Sequence, residues 1–449
     1  MVQIEIFLGN LANFLWGNWL MFALIGIGVI YSFATGWIQI RKFPYVMKKF
    51  FKNSKEKSNE SYNDKEITGF QALLTALGSC IGSGNIVGVS TAIIAGGAGA
   101  LFWMWVAAFF GMATKFSEIV LGMTYRARDK KGNYIGAPMY YIAHGLKSSA
   151  LGGTVAVLLF IQNAGGTLIQ SNTIANIVNR AFHIPYIITG CIIAGVMIYI
   201  IRGGFIRLAQ IAQKIVPLMV FLYILGGIIV VLFNITAVPD VVEKIFTQAF
   251  TFKAGAGAAG GITIREAMRY GVARGLYSNE AGEGTAAVIH STSNSENPIE
   301  QGLYGIVEVF VDTIIVCSTT GFALLCSGVT LQGANAATIA AEAFSSVFAP
   351  MGYVVNICLI LFASTSLMSQ WYFGHVSLLY LHSELGAKIY KVLFPLAIII
   401  GSLSSVNMVW YIQDCALGLL IIPNILALLI FMPTIRKNTK KYFSEHRRN

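Results

Sequence analysis

Charge is scarce in this chain. Asp, Glu, Lys and Arg together make up 11% of its 449 residues, against 56% hydrophobic, and the mean hydropathy is +0.68. That is too little polar material to cover a soluble globule of this size. Apolar runs of about twenty residues recur instead, so the chain is read as a polytopic membrane protein. The alternating segments of about ten residues that mark a transmembrane barrel are missing, which leaves a helical bundle. A basic region is missing from the N-terminus, and the apolar run after it is too long for a signal segment, so it reads as a retained first helix. Paired cysteine spacings are missing too: Cys80, Cys191, Cys317, Cys326, Cys358 and Cys415 lie singly in or beside apolar spans, as small apolar fillers rather than disulfides or zinc ligands. No H-E-x-x-H spacing links His144, His183, His290, His375, His382 and His446, and no nucleophile sits at a base-like spacing, so a metalloenzyme or another membrane-embedded enzyme finds no support.

Acidic residues number 20 against 31 Lys and Arg, a formal charge of +11. A basic excess can signal nucleic acid, but here the basic residues gather at the ends of apolar spans, as the positive-inside rule requires. About eleven spans are expected, at 16–40, 68–95, 98–124, 151–181, 184–201, 208–233, 263–289, 301–328, 351–381, 388–404 and 407–433. The segment RKFPYVMKKFFKNSKEKSNESYNDKE after the first span is cytoplasmic by its charge. Alternation then puts Arg126, Arg128, Lys130, Lys131, Arg202, Arg207, Lys388 and the tail RKNTKKYFSEHRRN inside, and the N-terminus outside.

This gives an extra N-terminal helix with its basic loop (1–67), five spans (68–235), an extracellular connection (236–262), five more spans (263–433) and a basic tail (434–449). The halves carry matching features. GSGNIVG at 82–88 corresponds to GEGTAAV at 282–288, and a long span with Gln170 corresponds to one with Gln370. Five is an odd number, so the second half is expected upside down relative to the first, an inverted repeat of the kind transporters use; a channel would instead repeat its pore by oligomerisation. Gly84 and Gly88 alone would read as a G-x-x-x-G packing face, and GSGNIVG misses the spacing of a dinucleotide-binding loop. Recurrence in both halves favours a broken helix, since glycine lowers the cost of leaving helical geometry and lipid cannot satisfy the backbone groups set free. A ligand can. Amides at Ser83 and Gly84 suit a carboxylate, carbonyls near Tyr277 and Ser278 suit an ammonium or a metal ion, and the hydroxyls of Ser364, Thr365 and Ser366 offer hard oxygen ligands.

The stretches ALFWMWVAAFFGMATKFSE, GAPMYY, GSGNIVG and GLYSNEAGEGTA resemble the signatures of the alanine/glycine:cation symporter family, over the chain from first span to last. The resemblance implies the all-helical fold of the bacterial leucine transporter with one extra N-terminal helix. It implies a plasma-membrane protein, acting as a monomer, that takes up alanine or glycine with sodium; a proton is the alternative coupling ion. It carries ion-ligand roles to Gly78, Cys80 and Ile81 through their backbones, to Asn85 through its amide, and to Thr365 and Ser366. Carboxylate binding falls to Ser83 and Gly84. Gln170 is expected beside the substrate, and with it Asn85, Tyr277, Ser278, Glu280 and Gly282 at the breaks. Gln370 stands where the family has a tryptophan, with Trp371 one place along, and both join the candidate substrate site. Glu283 stands where the family has an apolar residue. The remaining ionisable residues of the spans, Glu118, Glu308, Asp312 and Asp414, are expected to pair within the bundle, Glu118 with Lys115 one turn earlier.

Overall fold

The computed structural model describes residues 2–56, 67–130, 132–250 and 264–445. Lys131, His446, the end of the basic loop (57–66), the second part of the connection (251–263) and the end of the tail (446–449) lie outside the described residues. Among the described residues, eight helices are long and apolar enough to cross a membrane, and nine spans result if the bent pair Gly69–Cys80 and Ser83–Gly96 is counted as one. Six follow the expected spans closely, Gly99–Thr124, Ser149–Phe182, Gly204–Phe233, Pro298–Cys326, Met351–Tyr380 and Glu384–Leu403, and a seventh, Met408–Glu445, covers the last expected span and runs beyond it. Their outward faces carry Phe221, Phe233, Leu218, Leu393 and Leu426, all more than half exposed, as hydrocarbon-facing surfaces do.

The N-terminal helix begins earlier than expected. Residues Val2–Leu15 are already helical and run into Asn18–Ala34, because Ala12, Leu15 and Trp16 pack on the last helix while Asn10 and Asn13 stay outside. The Trp16 indole donates to the Asp414 carbonyl at 2.9 Å, tying the two together. Helix also appears in segments read as connections: Phe43–Glu56 in the basic loop and Val238–Ala249 before the undescribed stretch. The last helix, Val406–Glu445, continues through 433 into the tail. The only strands among the described residues are Ala127–Arg128 and Tyr134–Ile135, a small hairpin between two spans.

Three departures from regular helix position the interior. Helix Gly69–Cys80 starts at a capping box in which the Thr68 hydroxyl and the Gln71 side chain satisfy each other's backbone amides. It ends where Ile81 and Gly82 turn extended, and the chain resumes through the short turn Ser83–Asn85 into Val87–Gly96, with a bend of 59°. The second break lies between Ile264–Asn279 and Thr285–His290, with left-handed backbone at Glu280 (φ 54°), Gly282 (φ 98°) and Gly284 (φ 80°). Glycine is required at the last two, since a side chain there is strained by the backbone, and a β-carbon would lie 2.6 Å from Leu24 or 2.3 Å from Pro138. The third departure is a π-helical stretch, Phe310–Cys317, which turns Asp312 and Thr313 toward both breaks; such stretches often mark functional sites.

Candidate functional site

Both breaks open on one small buried cavity. Its wall is formed by Ser79, Cys80 and Gly84 from the first break, and by Tyr277, Glu280 and Glu283 from the second. Four glutamines complete it: Gln162 and Gln170 on helix Ser149–Phe182, Gln370 on Met351–Tyr380 and Gln413 on the last helix. Among the described residues, no aliphatic side chain lines it. The glutamines reach it because Gly165 and Gly166 let their neighbours approach: a β-carbon on Gly166 would meet the Gln370 amide at 2.8 Å, and one on Gly165 would meet Gln413 Oε1 at 2.5 Å. The two long helices with Gln170 and Gln370 therefore cross at this cavity.

At the first break, each backbone group released from the helix finds a substitute or is left open. Gly82 N, which a continued helix would direct to the Gly78 carbonyl, donates to Asn85 Oδ1 at 2.9 Å. Ser83 N donates to Gln170 Oε1 at 3.3 Å. The Ser79 carbonyl, deprived of Ser83 N, receives the Ser366 hydroxyl at 2.7 Å. Gly78 packs against Thr365, whose β-carbon would be 3.4 Å from a β-carbon on the glycine. The structure thus brings Gly78, Thr365 and Ser366 together beside the end of the first half-helix. The Thr365 hydroxyl donates to its own helix, to the Phe362 carbonyl at 2.9 Å, which leaves its lone pairs available to a cation.

Asn85, Ser278, Ser83, Gly282 and Trp371 are buried or closely packed next to the cavity but are not part of its wall. Asn85 fixes the first break. Its amide nitrogen donates to Asp312 Oδ1 at 2.6 Å and to the Asp312 carbonyl at 3.2 Å. The other oxygen of Asp312 receives the hydroxyls of Ser278 (2.9 Å) and Thr313 (2.8 Å), so one carboxylate joins both breaks. Trp371 stacks on His375, with ring centroids 5.3 Å apart.

The second break is held in the same manner. Ala281 N turns to Asn279 Oδ1 (3.0 Å), Gly284 N to Glu118 Oε1 (2.9 Å), and the Gly282 carbonyl receives the Asn424 amide (2.8 Å). Glu280 accepts from Thr285 (2.6 Å) and Ser79 (3.3 Å) and so braces the break from within. The Asn279 carbonyl, next to those expected to meet an ammonium, receives one from the protein itself: Lys115 Nζ, at 2.6 Å.

The expected pairing of Glu118 with Lys115 is corrected. Lys115 faces Glu308, at 3.0 Å, with Cys80 Sγ at 3.3 Å. Glu118 points the other way, to Gly284 N and to the Asn424 amide at 2.6 Å. One turn of helix makes two residues neighbours but does not choose between them and partners on other helices. Asp414 pairs within the bundle, through both oxygens, with Arg274 at 3.1 and 3.2 Å. Glu308 extends the Lys115 contact through His290 Nε2 (3.1 Å) to Gln301 (2.7 Å) and the Gly69 carbonyl (3.1 Å), a buried chain of hydrogen bonds running the length of the first half-helix. Ser79, Gln162 and Gln413 belong to the site without having been singled out. Gln162 lies two turns before Gln170 on the same helical face, and an amide in an apolar span was the signal available.

An apolar bundle with two interrupted helices opening on a shared polar cavity has the architecture expected of a membrane transporter. The profile of the sodium:alanine symporter family matches residues 1–449, and the chain belongs to that family. The sodium/alanine symporter AgcS of Methanococcus maripaludis is 36% identical over 97% of this chain and 96% of its own length. The amino-acid carrier protein AlsT of Bacillus subtilis is 33% identical over 99% and 94%. Among solved structures, MhsT in complex with L-phenylalanine shares the fold at a TM-score of 0.59 and 13% identity, over 80% of this chain and 88% of that one. The all-helical, multi-pass architecture is that of the leucine-transporter type.

Proposed function

We propose that the protein carries a small neutral amino acid, alanine or glycine, into the cell together with sodium, by alternating access. One observation carries this reading: both helix interruptions open on the same buried, polar cavity. The substrate carboxylate is received at the first break by Ser83 and Gly84, and the ammonium end by the second break, where Tyr277, Ser278, Glu280 and Gly282 lie. Gln170 and Gln370 flank it, with Asn85 and Trp371 behind. Sodium binds at the end of the first half-helix, through the carbonyls of Gly78, Cys80 and Ile81 and the hydroxyls of Thr365 and Ser366; Asn85 serves the ion from the other side of the break. In this reading the chain counts eleven spans, with Tyr186–Ile201 and the second broken helix as spans, and its halves 68–235 and 263–433 form the inverted repeat. The N-terminus is outside, the tail is cytoplasmic, and the monomer is the working unit.

One sodium ion moving inward through about 100 mV contributes roughly 2.3 kcal/mol, enough for about a fifty-fold amino-acid gradient. The test is uptake by the purified protein in liposomes. Alanine-dependent, electrogenic sodium entry is expected. Equal alanine uptake with sodium replaced by choline, at fixed pH and voltage, refutes sodium coupling, and uptake that then follows an imposed pH gradient identifies the proton as the coupling ion.

A further inference from the structure

Glu283 is 2% exposed, lines the cavity, and receives no hydrogen bond from any described residue. Every other carboxylate inside the bundle has protein donors: Glu118 has Gly284 N and Asn424, Glu280 has Ser79 and Thr285, Glu308 has Lys115 and His290, Asp312 has Asn85, Ser278 and Thr313, and Asp414 has Arg274. Three amides of the cavity wall are also without a donor. The side-chain oxygens of Gln162, Gln370 and Gln413 are buried and have no donor, in residues only 3%, 5% and 1% exposed. One carboxylate and three amide side chains whose oxygens lack a donor therefore line one small space.

Buried acceptors of this kind cost free energy unless a donor meets them, and an unpaired carboxylate inside a membrane costs most. A group with several N–H donors and a positive charge answers both demands. We propose that Glu283, with the amide oxygens of Gln162, Gln370 and Gln413, forms the ammonium-binding pocket of the transported amino acid. An ammonium has three donors in a compact cation, enough for the carboxylate and two amide oxygens. Three backbone carbonyls of the second break are already engaged. Lys115 holds the Asn279 carbonyl, Asn424 holds that of Gly282, and Glu283 N lies 3.4 Å from that of Glu280. The site for the opposite end of a zwitterion is across the cavity, where Gly84 comes from the first break. This rests on the reading of the cavity as the amino-acid site.

The experiment is uptake by the full chain in liposomes, comparing the parent with Glu283→Gln, which keeps shape and removes charge, and Glu283→Asp, which keeps charge and shortens reach. Wild-type alanine uptake tests the transport reading by itself; the variant-to-parent ratio tests the pocket. Loss of a charge-assisted hydrogen bond should raise the KM for alanine about tenfold to a hundredfold in Glu283→Gln, with an intermediate value in Glu283→Asp. The sodium concentration for half-maximal uptake should stay near the parent's at saturating alanine. Lactate, which lacks the ammonium, should compete poorly in the parent and relatively better in Glu283→Gln. 2,3-Diaminopropionate identifies the group bound: equal losses for it and for alanine point to the α-ammonium, and a loss confined to it points to a side-chain ammonium. An unchanged KM for both amino acids overturns the proposal. So does a shift in sodium dependence with amino-acid KM intact, which would make Glu283 an ion ligand.

Discussion

Lys115 and Glu308 offer the sharpest test of how the second break is held. Their charged atoms are 3.0 Å apart, with exposures of 0% and 1%. At an effective dielectric of about 20, that separation corresponds to roughly 5 kcal/mol of attraction, most of which offsets the desolvation of the two groups. The pair is therefore worth little against an apolar pair of the same shape, yet removing one member is costly. Glu308→Gln leaves an ammonium buried with only neutral atoms beside it, the Asn279 carbonyl (2.6 Å), the Cys80 sulfur (3.3 Å) and the new amide oxygen. The expected cost is about 3–5 kcal/mol. Lys115→Met should cost a similar amount, because the Glu308 carboxylate keeps only His290 and Cys80. The double variant removes both charges and should be less destabilised than the sum of the singles, by about 2–3 kcal/mol. Thermal unfolding in detergent, read by tryptophan fluorescence, should show midpoints lowered by roughly 6–10 °C in each single variant, at about 2 °C per kcal/mol. Single-variant losses that simply add in the double variant would refute the argument, since they would mean that the two groups do not sense each other.

Two further variants probe the breaks. Thr365→Val with Ser366→Ala should raise the sodium concentration for half-maximal alanine uptake severalfold, because apolar side chains cannot replace part of an ion's hydration shell; an unchanged sodium dependence in correctly inserted protein would show that the hydroxyls serve only the Phe362 and Ser79 carbonyls they already reach. Gly284→Ala should lose folded protein or uptake, since a left-handed alanine costs about 1–2 kcal/mol and its methyl would sit 2.3 Å from Pro138, whereas Gly153→Ala, with nothing within 4 Å, should behave as the parent.

The two broken helices were legible because glycine repeats at corresponding places in spans where lipid tolerates no open backbone. Gln170 and Gln370 were legible as amides in apolar spans, but Gln162 and Gln413 carry the same chemistry and only the packing of three helices shows that they join the same wall. Pairings between distant helices were not legible. Glu118 has Lys115 as its helical neighbour, and nothing in one sequence indicates that Asn424 and Gly284 N are nearer. The start of the first helix was also hidden, since Glu5, Asn10 and Asn13 interrupt its hydropathy while its buried face rests on the last helix.

Asn85 is where the resemblance and the structure make different demands. As an ion ligand it would direct its amide oxygen at sodium, but that oxygen receives Gly82 N at 2.9 Å, and the amide nitrogen donates to Asp312 at 2.6 Å. Asparagine fits here because it is a donor on one side and an acceptor on the other. Asn85→Asp should therefore abolish folding or uptake by setting two carboxylates against each other. Exchanging the pair, Asn85→Asp with Asp312→Asn, restores the arrangement: the new aspartate still accepts Gly82 N, and the new asparagine donates to it while its oxygen still accepts from Ser278 and Thr313. The donated contacts with the Asp312 carbonyl, at 3.2 Å, and with Cys317 Sγ, at 3.5 Å, are lost. If Asn85 acts by pinning the break, the exchanged protein recovers alanine uptake with sodium dependence close to the parent's. If it ligates the ion, the negative charge now at that position must change the sodium concentration for half-maximal uptake severalfold, and a recovered protein with that shift would show that the amide oxygen leaves Gly82 N during the transport cycle.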